Sequence, residues 1–300
     1  MNELDHTHIL TKTTEELSKS ESYQELFHQQ RDGELLPSLR DLAQIIDIAR
    51  ATLFPGYFGH SCVNSKTLKY HIGVNIEKLY NLLRKQILAG LCFMKCKKDD
   101  DCMEKIRYES ANIAAEFISN LPELRHTLAT DVKAAYEGDP AAQSMSEVIC
   151  CYPAIRAICN YRIAHQLLKL NVPLIPRIIT EMAHSETGID IHPGAKIGKY
   201  FTIDHGTGVV IGATAILGDH VKLYQGVTLG AKSFPLDKNG QPIKGINRHP
   251  IIEDNVIIYS NATVLGRITI GKDSIIGANI WITEDVKAGT KLFQKRKIDL

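Results

Sequence analysis

The chain has no apolar run approaching the ~20 residues that a membrane-spanning helix requires; its longest apolar stretches are short and interrupted. The N-terminal stretch MNELDHTHILTKTTEELSKS lacks the basic start and apolar segment of a secretory leader. Net charge is scarcely present: 35 Lys and Arg stand against 34 Asp and Glu, for a formal +1. Nothing in that balance argues for nucleic acid or an anionic membrane as partner. No cysteine follows Cys159, and the seven present are an odd number. With no secretory leader, this points to reduced thiols and a cytoplasmic protein. Cys92, Cys96 and Cys102 are close together, but their spacing is not a zinc pattern and Lys95, Lys97 and Lys98 crowd them, so plain thiols are expected.

What the sequence does have is a repeat with a period of six between Ile189 and Val286. Aliphatic residues recur at Ile191, Ile197 and Ile203, again from Ile211 to Leu229, and again from Ile252 to Ile282. Four residues after almost every one stands a small or aliphatic residue, with Phe201 the exception. Six matches neither the helical nor the alternating-strand period. It fits a solenoid of short strands joined by tight turns, one large side chain inward per hexad. Two interruptions break it. From Ile203 to Ile211 the step is eight residues and contains Asp204 and His205. From Leu229 to Ile252 it is twenty-three, against about eighteen for one coil, and it ends in Arg248-His249-Pro250. Irregularities of this kind tend to mark functional sites.

The part before the repeat reads as helical. Thr13-Thr14-Glu15-Glu16 suggests a cap leading to about Gln30, Leu36-Pro37-Ser38 opens a helix ending before Phe54-Pro55-Gly56, and Lys66 to Met94 is periodic. Further helices are expected from Asp99 and near 122–137, 140–148 and 153–170. Val172-Pro173 and Ile175-Pro176 mark a junction. Residues 1–187 are thus expected as a helical domain, 188–289 as the solenoid and 290–300 as a basic, loosely held tail. In Gly138-Asp139-Pro140, Gly ends one helix and Asp139 caps the next on residue mechanics alone. Tyr161, Arg162 and His165 share one stretch of helix and read as packing or interface residues. His192 and His220 also read as structural.

The runs G-I-D-I-H-P-G-A-K-I-G, I-D-H-G-T-G-V-V-I-G, Q-G-V-T-L-G and N-R-H-P, with E-G-D-P-A and Y-R-I-A-H upstream, together resemble the serine acetyltransferases. The resemblance covers roughly residues 137–286. It implies an α+β architecture in which an all-helical N-terminal domain precedes a left-handed parallel β-helix of hexapeptide repeats. It implies transfer of acetyl from acetyl-CoA to the hydroxyl of L-serine, the first step from serine to cysteine, without a metal. His205 would be the general base, oriented by Asp190. Asp139 and Asp204 would hold the amine of serine, and Arg248, assisted by His249, its carboxylate. Gly230, Ala231, Ser260 and Ala278 would line the acetyl-CoA path. This chain departs from the family pattern with Gly230-Ala231-Lys232, Ser260-Asn261 and a long 233–247 loop; Lys232 and Lys244 read as solvated. The family also implies a homotrimer or dimer of trimers with sites between protomers, and feedback inhibition by L-cysteine. A C-terminal Ile commonly enters O-acetylserine sulfhydrylase; here Lys297-Ile298-Asp299-Leu300 ends the chain on a related side chain.

Three other readings share the same repeat. Another hexapeptide acyltransferase, acting on a different acceptor, would keep His205 but need not keep Asp139 with Arg248. A γ-type carbonic anhydrase would need three histidines on one zinc, with His205, His220 and His249 as nominees. A non-catalytic β-helix scaffold would need none of these.

Overall fold

A computed structural model describes residues 3–24, 26–28, 35–59, 63–95 and 100–294, without the side chains of 3–5, 95 and 100–102. Cys62, Cys96, the Cys102 side chain, Gln30 and the C-terminal Lys297–Leu300 lie outside this description. The chain forms two compact units, Met1–Leu35 and Leu36–Leu300. The first carries α1 (Glu3–Leu17) and the short α2 (Ser20–Tyr23). Thr13 and Thr14 do not cap a helix there. They lie inside α1, where the Thr14 hydroxyl donates to the Leu10 carbonyl one turn back.

In the second unit α3 (Leu39–Leu53) starts where expected: the Ser38 hydroxyl accepts from Asp41 N–H, and Leu42, Ile45 and Ile46 are buried. The long α4 (Leu68–Lys95), α5 (Asp100–Ser119) and α6 (Leu121–Gly138) follow, then α7 (Met145–Cys151) and α8 (Pro153–Lys169). Asp139 is not the cap of α7. Ser144 is, accepting from Glu147 N–H while the Glu147 carboxylate accepts from Gln143 N–H. With Ser144 as cap and Glu147 reaching back to the N–H just before it, the helix starts there rather than at Asp-Pro, which leaves the Asp139 carboxylate for other partners. The next helix, α9 (Ile175–Thr187), occupies what reads in sequence as a junction. Pro176 sits in its first turn, where a missing N–H costs nothing, and Gly188 closes it in a left-handed conformation.

From Asp190 the chain winds into a parallel β-helix of three sheets. The first contains β1 (Asp190–Ile191), β4 (Val210–Ile211), β7 (Thr228–Gly230), β10 (Thr263–Leu265) and β13 (Trp281–Ile282). The second contains β2 (Lys196–Ile197), β5 (Ile216–Leu217), β8 (Ile251–Ile252) and β11 (Thr269–Ile270). The third contains β3 (Thr202–Asp204), β6 (Lys222–Tyr224), β9 (Ile257–Ile258), β12 (Ile275–Ile276) and β14 (Lys291–Leu292). The repeating aliphatics fill the prism: all but Ile197 are buried, each worth ~1.5–3 kcal/mol of apolar burial. The strands run past Val286, since β14 pairs with β12.

Register locates both interruptions. Asp190 pairs with Val210, twenty residues on, whereas Val210 pairs with Thr228, eighteen on. The two extra residues therefore lie at the corner between the third and first sheets. The twenty-three-residue step runs from the first sheet to the second, a distance that elsewhere takes six. Its excess is seventeen residues, not the five suggested by measuring it against a coil.

The helices seal the first coil. Tyr161 donates its hydroxyl to the Ala195 carbonyl at 2.7 Å, and His165 Nδ1 meets the Pro193 carbonyl at 2.8 Å. Arg162 forks onto buried Asp131 at 3.0 and 3.1 Å and donates to the carbonyls of Ile197 and Gly198. Asp131 also accepts from Phe201 N–H. Phe201, too large for a hexad interior, is fully buried where the prism ends against helices rather than against another coil.

Candidate active site

The candidate residues fall into two groups at opposite edges of the first sheet. One group gathers at the corner between the third and first sheets. His205 has φ +58°, while the residues in register with it, Gln225, Ser260 and Ala278, do not take the left-handed conformation. That conformation costs an L-residue ~1–2 kcal/mol, and it is held here by the eight-residue step. Gly206 follows at φ +102°, and a methyl there would meet Ile189 at 2.5 Å. The step thus projects the His205 imidazole outward, 74% exposed, with Nε2 3.9 Å from Asp204 Oδ1.

Lys222 Nζ lies 3.2 Å from Asp204 Oδ2 and donates to the Gly138 carbonyl at 2.7 Å. It therefore ties the corner to the end of α6, beside Asp139. Burial opposes its charge, but bonds to Tyr224 and Asp204 outweigh that and raise its pKa. Asp139 closes α6, accepts from Tyr152 O–H at 2.5 Å and from Ala141 N–H at 2.8 Å. The bond from Tyr152, then that from Ala141, hold its carboxyl below the ordinary range, and Tyr152 is pushed up to about 12 by the same bond. Ser260 and Ala278 stack at the same corner as His205, one and two coils beyond Gln225. Lys222 and Tyr152 carry no motif in the sequence. Only the register places Lys222 beside Asp204.

The second group gathers at the corner between the first and second sheets, where the long excursion leaves and returns. Buried His249 accepts at Nδ1 from Thr214 N–H at 3.1 Å, so the neutral ring carries its proton on Nε2. Burial, then the cations of Arg248, His192 and Arg267, lower its pKa to about 4. The Thr214 hydroxyl also accepts from the backbone N–H groups of Arg248 and His249. Arg267 donates to the carbonyls of Thr214 and His249. Gly212 forms the seat of the ring: a methyl on it would overlap the imidazole. Sequence reasoning missed Thr214, Gly212 and Arg267, which sit at ordinary hexad positions. Gly230 ends β7 at this same corner and Ala231 follows it into the excursion.

Asp190, on β1, does not contact His205 within the chain. Its partner is Arg177 of α9, with Nη1 3.7 Å from Oδ1; Arg177 in turn pairs with Glu181, and Glu181 with His184. The fifteen-residue spacing of Asp190 and His205 suggests proximity, but Asp190 is in register with Val210, five residues beyond His205 and past the corner. His205, His220 and His249 stand at three different corners, with His220 stacked on Tyr200, so they do not form the triad that a zinc hydratase needs. Among the described residues the one set able to converge on an ion is Glu181, His184 and Asp190.

Comparison with known proteins agrees with this geometry. Residues 249–279 match the bacterial transferase hexapeptide (six repeats) model. A serine acetyltransferase of Synechococcus elongatus described as plasmid-borne is 49% identical over 261 residues, covering 86% of this chain and 82% of that one. The structure of Entamoeba histolytica serine acetyltransferase 1 in complex with L-cysteine superposes with a TM-score of 0.72 at 35% identity, covering 92% of this chain and 95% of that one. Soybean serine acetyltransferase complexed with serine gives a TM-score of 0.54 at 28% identity, covering 85% and 96%. The helical region followed by a left-handed β-helix is the architecture of these enzymes. The chain belongs to the serine acetyltransferase family, enzymes that acetylate the hydroxyl of serine on the route to cysteine.

Proposed function

We propose that acetyl transfer from acetyl-CoA to L-serine takes place between two copies of this chain, with His205 of one copy as general base. The observation that carries this reading is the split just described. Asp139, Asp204 and His205 share one edge of the first sheet, Arg248 and His249 the other, and Asp190 stands on β1 between them, in register with Val210. The outward face of that sheet is flat and carries Val210, Thr228, Thr263 and Trp281, with Asp190 its one charge in this row. Trp281 is 68% exposed. A face with a single charge and an exposed Trp is suited to self-association. Turning three such faces toward a threefold axis brings the His205 corner of one copy against the Arg248 corner of the next. A homotrimer, or a dimer of trimers through the helices, follows.

In that site the seryl ammonium pairs with Asp139 and Asp204, and its carboxylate takes the Arg248 fork with Nε2–H of His249 as further donor. His205 removes the hydroxyl proton as the oxygen attacks the thioester carbon, and Asp190 of the neighbouring copy stabilises the imidazolium. The C–O bond forms, the C–S bond breaks, and the imidazolium returns the proton to the departing thiolate. The small residues Gly230 and Ala231 from one copy and Ser260 and Ala278 from the other leave room for the pantetheine arm. A methyl on Gly230 would meet Leu265 at 2.8 Å. L-Cysteine, with the same zwitterion, would compete at this site, and the enzyme would act in the cytoplasm. The test is thiol release from acetyl-CoA with L-serine against other amino acids and sugars. His205→Ala is expected to lose activity by about 10²–10⁴-fold. Full activity in that variant, or no turnover with serine, would remove the reading.

A further inference from the structure

The long excursion is a folded element. Leu236 bridges Pro242 in antiparallel fashion, Ile243 N–H donates to the Pro235 carbonyl, and the Asp237 carboxylate accepts from the N–H groups of Asn239 and Gln241. At its base Phe234 stands with its ring centroid 5.3 Å from the Arg248 guanidinium carbon. Phe234 is 57% exposed, so this position is not explained by core packing. Arg248 shows a complementary need. Its Nε is buried without a hydrogen-bond partner, and no carboxylate of the described residues pairs with it. A cavity of about 300 Å³ opens beside it, lined by Lys232, Ser233, Asn247 and Arg267 among others.

We propose that Phe234 is a positioning residue for substrate recognition: the hairpin places its ring against Arg248 and so fixes the guanidinium fork for the α-carboxylate of the amino acid. This rests on Arg248 binding that carboxylate. An arginine with no carboxylate partner in its own chain would otherwise sample several rotamers, and each would have to be abandoned when substrate binds. A ring face holds the guanidinium plane without occupying its donors, which a structural carboxylate would. The inserted residues thus do for Arg248 what an ion pair would do elsewhere, while leaving the fork open to ligand.

The experiment compares steady-state constants of the full-length protein carrying Phe234→Leu, Phe234→Trp or Arg248→Gln. Leucine keeps the apolar bulk of the hairpin but has no π face. Phe234→Leu is expected to raise KM for L-serine by about two- to fivefold, with KM for acetyl-CoA and kcat unchanged. Phe234→Trp retains the wild-type value. Arg248→Gln raises the serine KM far more. If Phe234→Leu matches wild type while Arg248→Gln does not, the role of Phe234 is overturned and the carboxylate site stands. If Phe234→Leu shifts both KM values equally, the residue only packs, and the proposal is again overturned. If Arg248→Gln leaves serine binding intact, the site reading itself fails.

Discussion

His249 shows how much chemistry one glycine and one threonine can impose on a buried ring. Gly212 leaves the space, Thr214 fixes the tautomer, and burial, reinforced by the neighbouring Arg248 and Arg267, keeps the ring neutral. Gly212 does not have a positive φ, so Gly212→Ala should fold. It should nonetheless displace the imidazole and lower kcat/KM for serine by roughly 10²-fold, the usual consequence of moving a positioned group by about 1 Å. An unchanged kcat/KM would show that the ring is not needed where it sits. The folded pKa of about 4 lies below the ~6.5 of an unfolded imidazole. Between those values the unfolded chain binds the extra proton, so this contribution to stability is present above pH ~6.5 and lost as pH falls toward ~4. Denaturation midpoints measured across that window should therefore fall less steeply for His249→Gln than for wild type. Parallel curves would contradict the shift.

The elements divide sharply into those legible in the sequence and those not. The hexads were legible because each contributes one inward aliphatic to a prism, a pattern that no helix or sheet edge imitates. The aliphatic positions from Ile191 to Ile282 are where the repeat places them. The α9 helix was not legible, because Ile175-Pro176 reads as a break when Pro is weighed without its tolerance for a first turn. Asp139 reads as a cap in sequence because the competing start at Ser144 lies five residues on, and only the folded loop shows which start prevails. Tyr161, Arg162 and His165 were legible as interface residues but not in their partners, which lie some 28–36 residues away in the first coil. The Arg162–Asp131 pair is the deepest of these ties. Burial raises the Asp131 carboxyl to about 6, against the opposing pull of Arg162 and Phe201 N–H. Removing one partner strands the other, so Asp131→Ala should destabilise the protein by ~3–5 kcal/mol in chemical denaturation. A loss below about 1 kcal/mol, the scale of a surface pair, would show that helices and prism do not depend on it.

At the scale of the whole molecule, motif reading supplies candidate residues for the site and the family resemblance implies sites between protomers, but neither says which residues face one another across such a boundary. Residue spacing reports distance along a coil and does not report which corner of the prism a residue occupies. The strand register supplies that, and it sets His205 and Arg248 at opposite edges of one largely apolar sheet face. The measurement that tests this most directly mixes two inactive proteins, His205→Ala and Arg248→Gln, by co-expression or by unfolding and refolding together. If sites form between copies, about a quarter of the sites in randomly mixed trimers contain both wild-type residues, and acetyl transfer to serine returns to about that fraction of the wild-type rate. If the mixture remains as inactive as either parent while forming mixed trimers, the site lies within one chain and the account is wrong.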